Sequence, residues 1–104
     1  MGFEVRFSAG ATADLERLFE FLIDRAQATE DLEIAGRVIE EVRATASGQL
    51  SRSPFSFRKA GTSSLTRELI IPAGKTGYVA LFEIQPPSLV LILAVRHQLE
   101  DDYH

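Results

Sequence analysis

Cysteine is absent from this chain, which excludes disulfide bonds and thiolate metal sites and fits a reducing compartment. Long apolar runs are absent too. The longest, Leu89–Val95, falls far short of the roughly 20 residues that span a bilayer, so no membrane partner is expected. Met1-Gly2-Phe3-Glu4-Val5-Arg6 carries no basic segment leading into an apolar stretch, so no secretory signal is expected and the cytoplasm is the expected location. The chain also lacks the excess positive charge of a protein that neutralises many phosphates; its formal net charge is -4. Direct sequence-specific nucleic-acid binding is therefore not expected. Repeats, low-complexity stretches and linkers are missing, and residues 1–104 read as a single domain. Gly74 and Gly77 suit tight turning between strands, with no phosphate-cradling pattern around them.

What is present is the composition of an ordinary folded protein, 45% hydrophobic and 25% charged. The charge is unevenly spread. Residues 1–51 hold 5 basic and 10 acidic side chains, whereas Arg52, Arg58, Lys59, Arg67 and Lys75 face only Glu68 between residues 52 and 75. A single cationic patch, suited to an acidic partner surface, is compatible with this pattern; a solvated loop is the simpler reading.

Phe3-Glu4-Val5-Arg6-Phe7 alternates strictly and predicts a strand with one buried face. Ser8 offers a helix N-cap. Leu15, Leu18, Phe19, Leu22 and Ala26 follow at helical spacing, with Asp14, Glu16, Glu20 and Asp24 expected on the water side. Thr29 is the expected cap of a second helix, whose Leu32, Ala35, Ile39, Val42, Ala46 and Leu50 form the seam of a helical hairpin ending near Ser47-Gly48. A long connection, Ser51 to Gly61, leads to a strand from Leu65 to Ile71 closed by Pro72-Ala73-Gly74. Gly77–Ile84 and Leu89–Val95 are two more strands joined through Pro86-Pro87-Ser88. The predicted fold is α+β, in the order β-α-α-β-β-β, with a helical hairpin packed on one face of a small antiparallel sheet.

The last two strands are apolar at nearly every position, whereas a sheet with one wet face should alternate. One helix pair covers one face. The other face then needs a cover, either a partner or the chain's own tail folded back over a curved sheet.

The element order, the phrase Leu65-Thr66-Arg67-Glu68-Leu69, the segment Gly77-Tyr78-Val79-Ala80-Leu81-Phe82-Glu83-Ile84, and the ending Val95-Arg96-His97-Gln98 with Asp102-Tyr103 together resemble the RelE/ParE toxin superfamily. The resemblance covers nearly the whole chain, and the ordered set carries it. It implies the toxin of a bacterial type II toxin–antitoxin system, neutralised by a small ParD- or RelB-like antitoxin whose C-terminal segment wraps it. Leu18, Phe21, Leu22, Phe82, Leu91 and Leu93 are the apolar positions it suggests for antitoxin binding.

The superfamily divides into ribosome-dependent mRNA endoribonucleases and inhibitors of DNA gyrase. Metal-free RNA cleavage needs a group to activate the 2′-hydroxyl, cations for the charged phosphorane and an acid for the leaving oxygen. The arginine that follows the Gly-Tyr pair in RelE-like members corresponds here to Val79, and the tail is acidic. The ParE-like branch is thereby favoured, with gyrase as target, contact residues Arg67, Tyr78, Arg96, His97 and Tyr103, and neither catalytic residues nor a cofactor. The RelE-like alternative leaves Arg67, His97 and Tyr103 as catalytic candidates. A third possibility is a degenerate member that binds an antitoxin without being toxic. Each candidate has a plainer alternative: Arg67 an ion pair or a stem along the sheet, Tyr78 a core aromatic, His97 a strand-end histidine bonded to backbone. His97, Asp101, Asp102 and His104 are ligand types without fixed spacing, so no metal site is expected.

Overall fold

The computed structural model describes residues 2–100; Tyr103, Asp101, Asp102 and His104 lie outside them. The order is β1 (Glu4–Phe7), α1 (Ala9–Asp24), α2 (Thr29–Arg52), a 3-10 turn (Pro54–Ser56), β2 (Arg58–Lys59), β3 (Thr66–Ala73), β4 (Thr76–Gln85) and β5 (Leu89–His97). The five strands form one sheet in the order β1-β5-β4-β3-β2. The expected α+β arrangement of a helical hairpin on a sheet is present. The sheet is mixed rather than antiparallel, because β1 pairs parallel with β5 from Glu4 opposite Leu89 to Phe7 opposite Ile92. The connection between the two parallel strands runs through the helical hairpin, which carries the chain from β1 to β2 at the opposite edge, and returns through β3 and β4.

Ser8 caps α1 as its position predicts, its hydroxyl accepting from the Ala11 N–H at 3.0 Å. The second cap differs from expectation. Thr29 is already helical, and the Asp31 carboxylate accepts from the N–H groups of Gln27 (2.9 Å) and Ala28 (3.2 Å). α2 also runs past Ser47-Gly48 to Arg52. An interior glycine costs about 1 kcal/mol of helix propensity, but Leu50 beyond it is fully buried and holds the last turn on the core.

The helices cover one face. Leu15 and Leu18 of α1, with Val42, Ala46 and Leu50 of α2, pack on Leu69, Ile71, Tyr78, Ala80, Phe82, Ile84, Val90, Ile92 and Val95. Leu32, expected in the seam, lies near the hairpin tip and is 44% exposed. The register places Ile70, Val79, Leu81, Leu89, Leu91 and Ala94 on the opposite face, among Glu68, Glu83, Gln85 and Arg96. Val79 and Ala94 are buried there, whereas Ile70 is exposed and Leu81, Leu89 and Leu91 are half-buried.

β3 continues through Pro72, which was expected to end it. Residues 65, 67, 69, 71 and 73 direct their backbone groups to β4, as the bond from Ile84 N–H to Leu65 O indicates, so residue 72 faces the open edge. Proline there removes no ladder bond. Gly74 supplies the positive φ of 60° that turns the chain into β4.

Candidate functional site

β1 stops at Phe7, but β5 runs on to His97, and its backbone edge beyond Ile92 would be bare without other partners. Three side chains near the start of α1 and along it fill the gap. The Ser8 hydroxyl donates to Leu93 O at 3.1 Å, Asp14 Oδ2 accepts the Val95 N–H at 2.8 Å, and Arg17 donates to Val95 O at 3.4 Å. Leu93 is the residue at which β5 bulges, since Leu81 pairs with Ala94 while Phe82 pairs with Ile92. Asp14, expected on the water side, is 5% exposed and stands 3.8 Å from the Arg17 guanidinium. Its signal was present in the helical spacing: Ala11, Asp14, Leu15 and Leu18 share the buried stripe.

Arg17 reaches further, to Glu100 at 3.1 Å, and so ties α1 to the turn that follows β5. Within that turn Arg96 donates to the carbonyl of Glu100 at 2.8 Å. Both ring nitrogens of His97 are engaged. Nδ1 accepts the Leu99 N–H at 3.1 Å, which leaves the proton on Nε2, 2.8 Å from the Thr76 hydroxyl. Tyr78 lies edge-on to the imidazole at 5.4 Å. Burial pushes its phenol above the ordinary 10.0. Gly77 admits the Gln98 side chain, whose Oε1 a Cβ at that position would strike. The turn is thus pinned to β4 and to α1 at once, and none of Asp14, Arg17, Thr76 or Glu100 was among the sequence candidates.

Of those candidates, His97 and Arg96 belong to this turn. Tyr78 and Phe82 face the helix layer at 1% and 0% exposure and present no surface to a partner. Tyr103 lies outside the described residues. Leu18 and Phe21 meet His97 in one cavity of about 250 Å³, whose remaining walls are Arg17, Leu99 and Glu100. Leu22 lines a neighbouring cleft of about 470 Å³ with Arg25, Ala26, Ile34, Val38 and Lys75. Leu91 lies on the opposite face of the sheet, and Leu93 at the bulge; both are half-buried.

Arg67 is elsewhere. Its guanidinium donates to the carbonyls of Ser64 (2.9 Å), Phe55 (3.1 Å) and Phe57 (2.7 Å) and lies 5.4 Å from the Phe55 ring. It pairs with Phe82, whereas His97 pairs with Tyr78 four residues along β4. At about 3.3 Å per residue the two backbone positions are ~13 Å apart along the strand. Of the other cations, Arg58 stands opposite Glu68 and is bonded to it at 3.0 Å, Lys59 stands opposite Arg67 on the same β2–β3 ladder, and Lys75 stands apart in the β3–β4 turn. Among the described residues no three His, Asp or Glu side chains converge as metal ligands, and no helix is long and apolar enough to cross a membrane.

A solved structure described as the chromosomal ParDE TA system from P. aeruginosa superposes with a TM-score of 0.70 over 91% of this chain and 95% of that one, at 14% identity. At that identity the likeness is one of fold. No curated protein sequence matches the chain. The family model of the ParE toxin of the type II toxin–antitoxin system parDE matches residues 5–102, and the chain belongs to that family.

Proposed function

We propose that this ParE-family toxin inhibits DNA gyrase through protein–protein contact made around its C-terminal turn, and that a ParD-like antitoxin holds it inactive. It uses no cofactor and no catalytic residue of its own. One observation carries the choice of mechanism. Arg67, the cation a ribonuclease of this fold would turn toward a phosphate, has its guanidinium engaged by three backbone carbonyls, away from His97. Phosphorane stabilisation and proton transfer need those groups together. His97, with both ring nitrogens engaged, acts here as a clamp on the turn. The imidazole-to-hydroxyl and arginine-to-carbonyl bonds suit a rigid contact surface better than a reacting centre.

The test is a supercoiling and cleavage assay with purified gyrase and this protein freed of its antitoxin. Loss of supercoiling with accumulation of cleaved DNA is the expected result. Unaffected gyrase, together with mRNA cleavage on translating ribosomes that His97→Ala abolishes, would overturn it. Deleting residues 98–104 should remove toxicity and leave antitoxin binding largely intact; toxicity that survives would exclude the turn as the contact.

A further inference from the structure

The polar side chains at the end of β5 are engaged by the protein itself. Arg96 donates to the carbonyls of His97 (3.3 Å), Gln98 (3.4 Å) and Glu100 (2.8 Å). His97 holds the Leu99 N–H on Nδ1 and the Thr76 hydroxyl on Nε2. Glu100 pairs with Arg17, and its own N–H donates to the carbonyl of His97 at 3.0 Å. The Gln98 side chain lies against Gly77, whose carbonyl accepts the Gln98 N–H at 3.0 Å.

Leu99 is the exception. Its N–H is held by His97, but its side chain is 79% exposed, against 52% for Ile70, the next most exposed large hydrophobic among the described residues. A solitary exposed leucine is ordinary on a protein surface. This one sits on a turn closed by bonds from β4, from α1 and from within, so it is held outward rather than free to fold back. An apolar group fixed before binding loses little conformational entropy when it docks. The same bonds occupy the charges of Arg96 and Glu100, so the turn offers a partner an apolar knob rather than an ion pair.

We infer that Leu99 is the residue by which the turn enters its target. Its side chain seats in an apolar pocket of the gyrase surface, and Arg96, His97 and Thr76 are positioning residues that hold it ready. The inference rests on the gyrase reading and deepens it. It moves the contact away from Arg96 and His97, which bond within the fold, and from Tyr78, which is buried, to a side chain outside the set of sequence candidates.

The experiment measures the concentration of purified toxin that halves gyrase supercoiling, alongside growth arrest on induction in cells. Leu99→Asp should need at least about tenfold more toxin, since a charge replaces the seated side chain. Leu99→Met, of similar volume, should stay within about threefold of wild type. Leu32→Asp, the same change at an exposed leucine of the hairpin tip, is the control and should inhibit as wild type does. Melting curves establish that the variants fold. The positioning role is read at Thr76: Thr76→Val leaves the His97 Nε2–H without its acceptor and should weaken inhibition about threefold, and Thr76→Ser should restore it. A Leu99→Asp protein as potent as wild type would overturn the inference, as would an equal loss in Leu32→Asp. Thr76→Val and Thr76→Ser proteins that behave alike would remove the positioning role. A wild type that leaves gyrase unaffected but arrests growth removes the gyrase reading, and the growth assay then decides for Leu99 by itself: Leu99→Asp should have lost toxicity, and toxicity retained would overturn its role. A wild type that does neither overturns both.

Discussion

Replacing Asp14 should loosen the C-terminal turn from a position on α1. The carboxylate is 5% exposed, accepts the Val95 N–H at 2.8 Å and lies 3.8 Å from Arg17. In Asp14→Ala the Val95 N–H keeps its burial and loses its acceptor, while Arg17 loses one of its two carboxylates. A buried hydrogen bond to a charged acceptor is worth about 1.5–3 kcal/mol, and the whole domain stands on about 5–15 kcal/mol. We therefore expect a loss of about 2–3 kcal/mol in urea denaturation with an unchanged m-value. Asp14→Asn retains an amide oxygen for Val95 and gives up only the charge, so it should lose about 1 kcal/mol. Hydrogen exchange separates local from global effects: the Val95 amide should lose more protection than amides in the centre of β4. An Asp14→Ala protein within 0.5 kcal/mol of wild type, with Val95 still protected, would refute the idea that α1 side chains stand in for a missing strand.

Three further outcomes follow from the geometry. Arg67→Lys keeps the charge but cannot reach the carbonyls of Ser64, Phe55 and Phe57 together; limited proteolysis should cut faster between residues 53 and 65, with a loss of about 1–2 kcal/mol at partly exposed carbonyls. Gly74→Ala places a side chain at φ 60°, with its Cβ 3.1 Å from Val38; about 1–2 kcal/mol should be lost, read as a fall in melting temperature of several degrees. Burial raises the Tyr78 pKa above 10.0, so the fold favours the neutral phenol. Its contribution is fully present below pH 10 and is lost as pH rises toward the folded-state value, at up to about 1.4 kcal/mol per pH unit. Tyr78→Phe should flatten that alkaline slope, and a slope unchanged in the variant would assign it to another group.

The elements were legible because each rests on local chemistry. The alternation of β1, the hydroxyl of Ser8 and the stripe from Leu15 to Leu22 all act within a few residues. The misses come where distant contacts decide. Leu50 holds α2 together past Gly48, the open edge admits Pro72 into β3, and β1 pairs parallel with β5, a strand from the far end of the sequence. The site was harder still. His97 and Arg96 stood out as polar residues ending an apolar strand, but the groups that fix them come from α1 and the start of β4. Arg67 stood as a contact or catalytic candidate because nothing local shows three carbonyls of the preceding connection converging on it.

The unbroken apolar character of β4 and β5 has two causes rather than one. On the helix side Tyr78, Ala80, Phe82, Ile84, Val90, Ile92 and Val95 fill the core. On the other side Val79 and Ala94 are buried near the C-terminal turn, so the chain itself covers that end of the face. The remaining band, Leu81, Leu89 and Leu91 with the exposed Ile70, lies between the Arg6–Glu4 and Arg58–Glu68 ion pairs. Those pairs flank the sheet face with matched charges, which discourages sheet-to-sheet association of copies. The apolar surplus is therefore narrower than the strand sequences alone imply. A partner on the sheet face would find only a thin strip between ion pairs.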